Sequence, residues 1–312
     1  MRIVENVVII GSGCAGLTAA IYCARADLSP LLIEGSQPGG QLTTTSEIEN
    51  FPGFVEGISG FELTDRMRKQ AERFGTRFLS DSVAFVDFSS DVKKITCESF
   101  AVESRAVIIA TGAAPRMMNI PGEREFFGGR GVSVCATCDA PFFRKKVVAV
   151  IGGGDSACEE ALFLSTFCER VFTIHRRDKF RASKIMADRV LSNPKITVMW
   201  NSVLHEIFGS DRVQGVRIKN VGDSLISEIG CDGVFLAIGH IPNTAPFKSI
   251  LAMDGEGYII STGESLVETS VSGVFVAGDC SDRRFRQAVT AAGMGCMAAI
   301  SVERFLANGG LI

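Results

Sequence analysis

Cys135 and Cys138 stand two residues apart in the stretch VCATCDAPFF (134–143), with Asp139 directly after them. This spacing serves three chemistries: half a zinc site, a redox disulfide, or two small apolar side chains packed in a core. Zinc requires two further Cys or His ligands at suitable spacing. The three histidines, His175, His205 and His240, are isolated from one another, and no second C-x-x-C occurs. Plain burial sits poorly beside the carboxylate of Asp139, which is costly to remove from water. A redox disulfide is the better reading, with zinc and burial as the alternatives. A helix starting at the pair lowers the pKa of a thiolate there. Asp139 is then a candidate proton donor or acceptor for the exchanging thiols.

Redox sulfurs need a source of electrons, and two glycine turns supply places to hold one. Residues 5–10 (ENVVII) read as a buried parallel strand. They run into Gly11-Ser12-Gly13-Cys14-Ala15-Gly16 and then into a helix-like LTAAIYCARA. Strand, G-x-G-x-x-G and helix in that order suit a dinucleotide pyrophosphate: the glycines allow a tight turn and close approach, and the helix N-terminus faces the phosphates. The pattern recurs as KKVVAVI (145–151), Gly152-Gly153-Gly154-Asp155-Ser156-Ala157 and CEEALFLSTF. Ala157 stands where a third glycine is usual, a position that asks only for close helix–strand packing.

The end of the following strand distinguishes the two units. Glu34 and His175 each lie 23 residues after the first glycine of their own turn. A carboxylate there accepts hydrogen bonds from ribose hydroxyls, which suits FAD or NAD. His175 followed by Arg176, Arg177 and, nearby, Arg181 suits the 2′-phosphate of NADP, a solvated basic face being the alternative. Val107–Gly112 and Val234–Gly239 each close one unit, and a third strand-plus-glycine segment, GVFVAGDC (273–280), stands alone near the C-terminus. Its Asp279 can bond a ribityl hydroxyl or simply form a turn. The expected organisation is α/β, with two Rossmann-like dinucleotide-binding domains, one inserted in the other. Residues 1–116 and 243–312 form the FAD domain, and 117–242 form the NADPH domain that carries the C-x-x-C. The pair lies 14 residues before Gly152, so disulfide and NADP site share a domain while the flavin belongs to the other. If donor and disulfide use one flavin face, the layout implies a domain rearrangement in each cycle.

Composition limits the partners. At 312 residues the chain is long enough for about two domains. A net charge of −3 argues against nucleic acid or an anionic membrane surface as main partner. No apolar run is expected to approach the roughly 20 residues that span a bilayer, and the N-terminus reads as a first strand and not as a signal peptide. Ten cysteines without framework spacing suit a reducing compartment.

From end to end the chain resembles the low-molecular-weight, NADPH-dependent thioredoxin reductases. The resemblance is carried by GSGCAG (11–16), GGQLTTTSEIENFPGF (39–54), CATCD (135–139), GGGDSA (152–157), HRRDKFR (175–181) and GDCSDRRFRQA (278–288). It implies FAD at Gly11, Ser12, Gly13, Ala15, Gly16 and Glu34, at Gly40, Gln41 and Thr43 of the 39–43 loop, and at Asn50, Gly278, Asp279, Gln287 and Ala288. It implies NADPH at Gly152, Gly154, Asp155 and Ser156, with His175, Arg176, Arg177 and Arg181 around the 2′-phosphate. It further implies that Cys138 lies nearer the flavin and accepts its electrons, that Cys135 attacks the thioredoxin disulfide, and that Asp139 is the acid. Arg130 and Phe142 match positions that dock thioredoxin. The family is homodimeric and, in bacteria, cytosolic, so a cytoplasmic homodimer with no membrane or nucleic-acid partner is expected.

Three positions depart from the family pattern. Cys14 replaces a proline and is an oxidation-sensitive thiol near the flavin on this reading; Phe285 replaces a tyrosine; Pro141 replaces an aromatic, so DAPFFRKK is either part of a docking surface or a hydrophobic plug. Trp200, Cys158, Cys168 and Cys296 read as packing. Rival architectures fit less well. Glutathione-reductase types place their cysteines in the FAD domain, ferredoxin–NADP reductases lack the C-x-x-C, dithiol oxidases lack the arginines, and a flavin-bearing sensor needs no complete electron path.

Overall fold

The computed structural model describes residues 4–262 and 265–309. The chain divides into two compact units, Met1–Ala114 with Ile241–Ile312, and Pro115–His240.

In the first unit the strand Val4–Ile10 runs parallel between Leu31–Ile33 and Ala101–Ile109. Arg77–Leu79 continues the sheet beyond Leu31–Ile33, and Val274–Val276 pairs with the C-terminal half of Ala101–Ile109. The N-terminal half of that long strand instead takes the antiparallel partner Lys93–Cys97, which leads to Val83–Asp87. Both faces of the parallel part are covered, so its strands are apolar throughout instead of alternating. Val7 and Ile9 pack on one side with the helices Cys14–Arg25, Gly60–Arg73 and Ala288–Asn308. Val8 and Ile10 pack on the other with Ile95, Phe247 and Leu251.

The second unit has a parallel sheet in the order Ile196–Met199, Arg170–Ile174, Val147–Ile151, Gly233–Leu236, Val132–Ser133. Val148 and Val150 face the helix Asp155–Phe167, together with Ala136 and Ala140 of the cysteine segment. Ala149 and Ile151 face an antiparallel meander, Ser202–Gly209, Val213–Asn220 and Ile226–Gly230. The α/β class and the two dinucleotide-type units agree with the sequence expectation.

One expectation needs correction. The helix Ala288–Asn308 is 21 residues long with a mean hydropathy of 1.3, enough by length and composition to cross a membrane. Its exposed Glu303 and Arg304 break up the run in the sequence and hide its length. Gly295, Ala298, Ala299, Val302 and Leu306 form its buried face, and a Cβ on Gly295 would lie 2.1 Å from the Ala15 carbonyl oxygen. This face seats the helix on Cys14–Arg25 through small residues.

That close approach predicts opposite effects at two neighbouring glycines. Gly295→Ala overpacks the helix pair and costs about 1–3 kcal/mol. Gly293→Ala meets nothing within 4 Å and stabilises by up to about 1 kcal/mol through helix propensity. Thermal unfolding followed by circular dichroism separates the two.

Candidate functional site

Cys135 and Cys138 are joined as a disulfide with a Cα–Cα distance of 5.3 Å. The strand Val132–Ser133 delivers them to a single helical turn, Ala136–Asp139, for which Cys135 is the N-cap. The Cys138 N–H donates to Cys135 Sγ at 3.2 Å, a contact that favours negative charge on that sulfur once the bond is reduced. Ser133 was not singled out by the sequence. Its hydroxyl accepts from the Cys135 N–H at 3.1 Å and donates to the Cys135 carbonyl oxygen at 3.4 Å. Burial raises the pKa of Asp139 above its ordinary value, with the Ser133 hydrogen bond as a smaller opposing effect. Phe143 turns inward, edge-on to Phe235 with ring centroids 5.2 Å apart, while Phe142 is 37 % exposed. The segment is thus a plug on one side and an open surface on the other.

In the first unit the turn after Val4–Ile10 is closed by backbone contact. A Cβ on Gly11 would lie 2.3 Å from the Ala110 oxygen, and one on Gly16 would lie 1.9 Å from the Gly11 oxygen. Gly13 differs: nothing lies within 4 Å of its missing Cβ. It is the N-cap of Cys14–Arg25, and no side chain caps that helix, so its first amides are left for an anion. Gly40 comes against Gly13, with the position of its Cβ 3.0 Å from the Gly13 Cα. Asn50 Nδ2 donates to Gln287 Oε1 at 3.4 Å across 237 residues. Gly278 has a φ of 80° and lies against Ala15. Burial, reinforced by the charge of Asp282 and offset by Arg286, pushes the Asp279 carboxyl up to about 7. Gly40 and Gly278 thus lie against one bare, uncapped helix start, a cradle that fits a dinucleotide.

Three residues of this unit have side-chain partners that the sequence does not announce. Ser12 is buried; its hydroxyl donates to the Glu34 carbonyl oxygen at 2.9 Å and accepts from the Gly39 N–H at 3.1 Å, so it ties two loops together. Glu34 is buried, and its carboxylate oxygens accept from Arg68 Nε at 3.1 Å and Ser80 Oγ at 2.6 Å. Neither partner carries a sequence signal, because each is distant in the chain and lies in an unremarkable segment. Cys14 is buried in the core. Burial, with help from Asp279, pushes its pKa up to about 12, and its Sγ lies 3.8 Å from Met67 Sδ.

In the second unit Gly154 caps Asp155–Phe167, again without a side-chain cap. A Cβ on Gly152 would meet the Ala157 Cβ at 2.7 Å, which explains the small residue at 157. His175 is buried beneath this turn, where a Cβ on Gly153 would strike its ring at 2.2 Å. Burial chiefly lowers its pKa, so the neutral ring shapes the turn and adds no charge to it. Trp200 and Phe180 pack around that ring, with centroids 6.1 and 5.8 Å from it. Arg176, Arg177 and Arg181 are exposed. The Arg181 N–H donates to the Gly153 oxygen at 2.7 Å, and its guanidinium reaches 3.5 Å from the position of a Gly154 Cβ. Asp155 Oδ1 accepts from the Ser183 N–H at 2.9 Å and so fastens the segment after the arginines to the helix start.

The open space at Gly13 makes a specific prediction. Gly13→Ala leaves apoprotein stability within about 0.5 kcal/mol, yet weakens FAD binding at least tenfold in a fluorescence titration, because the methyl occupies the pyrophosphate path.

Comparison with known proteins agrees with this geometry. The thioredoxin reductase of Rickettsia felis is 52% identical over 310 residues, covering 98% of this chain and 99% of its own. Thioredoxin reductase 1, mitochondrial, of Arabidopsis thaliana is 52% identical over 311 residues, covering 96% and 83%. The crystal structure of thioredoxin reductase from Streptococcus pyogenes superposes with a TM-score of 0.93 at 41% identity, covering 99% of this chain and all of that one. Residues 5–295 match the family described as pyridine nucleotide-disulphide oxidoreductase. With two glycine-turn units and a bonded cysteine pair beside one of them, the chain belongs to the pyridine nucleotide-disulphide oxidoreductase family.

Proposed function

We propose that this chain is a thioredoxin-disulfide reductase that takes electrons from NADPH through FAD to the Cys135–Cys138 disulfide and on to oxidised thioredoxin. The observation that carries the reading is the placement of a bonded C-x-x-C in the same compact unit as an uncapped glycine turn flanked by exposed arginines. The names of the relatives support thioredoxin as the acceptor. FAD in the first unit is supported by Glu34 and the cradle at Gly13, and NADPH in the second by Arg176, Arg177 and Arg181. We also infer a cytoplasmic homodimer. The family resemblance supports the dimer, and eight free cysteines, seven of them buried, suit a reducing compartment.

The bound cofactors supply the two-electron transfer, and the chain's own residues do the sulfur chemistry. Two electrons and two protons convert the internal disulfide to two thiols. Cys135 passes its proton to Asp139, and the resulting thiolate, favoured by the Cys138 N–H, attacks one sulfur of the acceptor disulfide. That bond breaks as a mixed disulfide forms, and Asp139 returns the proton to the departing acceptor sulfur. Cys138 then loses its proton to Asp139 and attacks Cys135 Sγ. The internal disulfide re-forms, and the second acceptor sulfur leaves with the relayed proton. The raised pKa of Asp139 brings it closer to the pH at which a relay must both accept and donate.

Steady-state NADPH oxidation by the flavin-loaded protein with oxidised thioredoxin tests the reading. Cys138→Ser abolishes turnover while NADPH still bleaches the flavin; bleaching without wild-type turnover would reject thioredoxin as acceptor. Asp139→Asn slows disulfide exchange by roughly 10²–10⁴-fold. It also removes the rise in rate that the wild type shows as pH rises through the elevated Asp139 pKa, where the carboxylate that accepts the thiol proton forms. Arg181→Ala raises KM for NADPH about tenfold, equivalent to about 1.4 kcal/mol, and leaves KM for NADH unchanged.

A further inference from the structure

We infer that Arg68 is a positioning residue that makes the first nucleotide site select an adenosine ribose with a free 2′-hydroxyl. This deepens the reading that the adenosine end of FAD lies at Glu34 and rests on it. Glu34 is 5 % exposed, and a carboxylate so placed needs both a countercharge and fixed partners. Arg68 Nε donates to Oε1 at 3.1 Å and Ser80 Oγ donates to Oε2 at 2.6 Å. One donor on each oxygen leaves a further lone pair on each for ribose hydroxyls.

An arginine beside the ribose position would ordinarily argue for a 2′-phosphate. Here the guanidinium is committed elsewhere. Besides Glu34, its Nη1 bonds the carboxylate of Glu72 one turn along Gly60–Arg73, and its plane lies over the Phe78 ring, 4.2 Å from the centroid. Ion pair, helix pair and ring contact together commit the cation to Glu34, Glu72 and Phe78. An incoming ribose therefore meets two acceptor oxygens, and a 2′-phosphate meets a carboxylate of like charge. The second unit has the opposite arrangement: Arg176, Arg177 and Arg181 are exposed, and the residue at the end of the strand is a buried histidine.

The test titrates apoprotein by fluorescence with three ligands: FAD, FAD lacking the adenosine 2′-hydroxyl, and FAD carrying a 2′-phosphate there. Wild type is expected to bind FAD at least tenfold more tightly than either analogue. Arg68→Met, which keeps an apolar stem over Phe78, should lose most of that preference by weakening FAD binding while barely changing the 2′-deoxy ligand. Arg68→Lys keeps the charge and the Glu72 pair but loses the Nε contact, and should fall between; it carries the test if Arg68→Met does not fold. If wild type binds FAD and the 2′-deoxy analogue equally, the placement of the ribose at Glu34 is wrong. If wild type discriminates and both variants discriminate equally well, or lose affinity for all three ligands in parallel, that placement stands and the role of Arg68 is overturned.

Discussion

Backbone packed directly on backbone at the glycine turns is the constraint on which the rest of the molecule depends. The Gly16 position lies so close to the Gly11 carbonyl oxygen that a side chain would sit 1.9 Å from it, and Gly11 stands in the same relation to Ala110 at 2.3 Å. Those contacts set the helix Cys14–Arg25 hard against the ends of its parallel strands, which fixes where its free amides point. The second unit repeats the arrangement with Gly152, Ala157 and the Ala237 carbonyl oxygen. Within each turn one glycine has no steric reason to be there: Gly13 faces open space and Gly154 faces only Arg181. Glycines required by packing and glycines that packing leaves free thus separate by what a methyl group would strike.

The cysteine pair shows how little machinery a disulfide centre needs when its surroundings are arranged. A single turn of helix puts one amide on Cys135 Sγ, and one serine hydroxyl holds both the amide and the carbonyl oxygen of Cys135. Partial burial raises the pKa of Asp139. The apolar packing of Ala136 and Ala140 against Asp155–Phe167 links the cysteine segment to the helix that the second glycine turn begins.

Much of this was legible in the sequence because periodicity and glycine spacing report backbone geometry directly. The strands, both turns and the cysteine pair were readable. What was not legible depends on which way a side chain faces. The Ser12 hydroxyl is turned inward to join two loops. His175 precedes two arginines, yet its ring lies beneath Gly153. Cys14 sits in the first turn of a helix, a place that ordinarily activates thiols, and burial reverses the effect. Arg68 and Ser80 meet Glu34 only because Gly60–Arg73 and the strand Arg77–Leu79 fold back beside it, an event no local pattern announces. The C-terminal helix was missed for a related reason: its Glu303 and Arg304 lie on the outer face, so a run that is continuous in space is broken in sequence.

The pairing of Val274–Val276 with Val107–Ile109 imposes an order on synthesis. The second unit is continuous from Pro115 to His240 and has every strand it needs once that stretch has left the ribosome. The first unit, although its glycine turn is made earliest, lacks one strand and the helix that covers Cys14–Arg25 until nearly the whole chain exists. Domains fold as units during translation, so the inserted part matures first, and the part that begins the chain is the last to close.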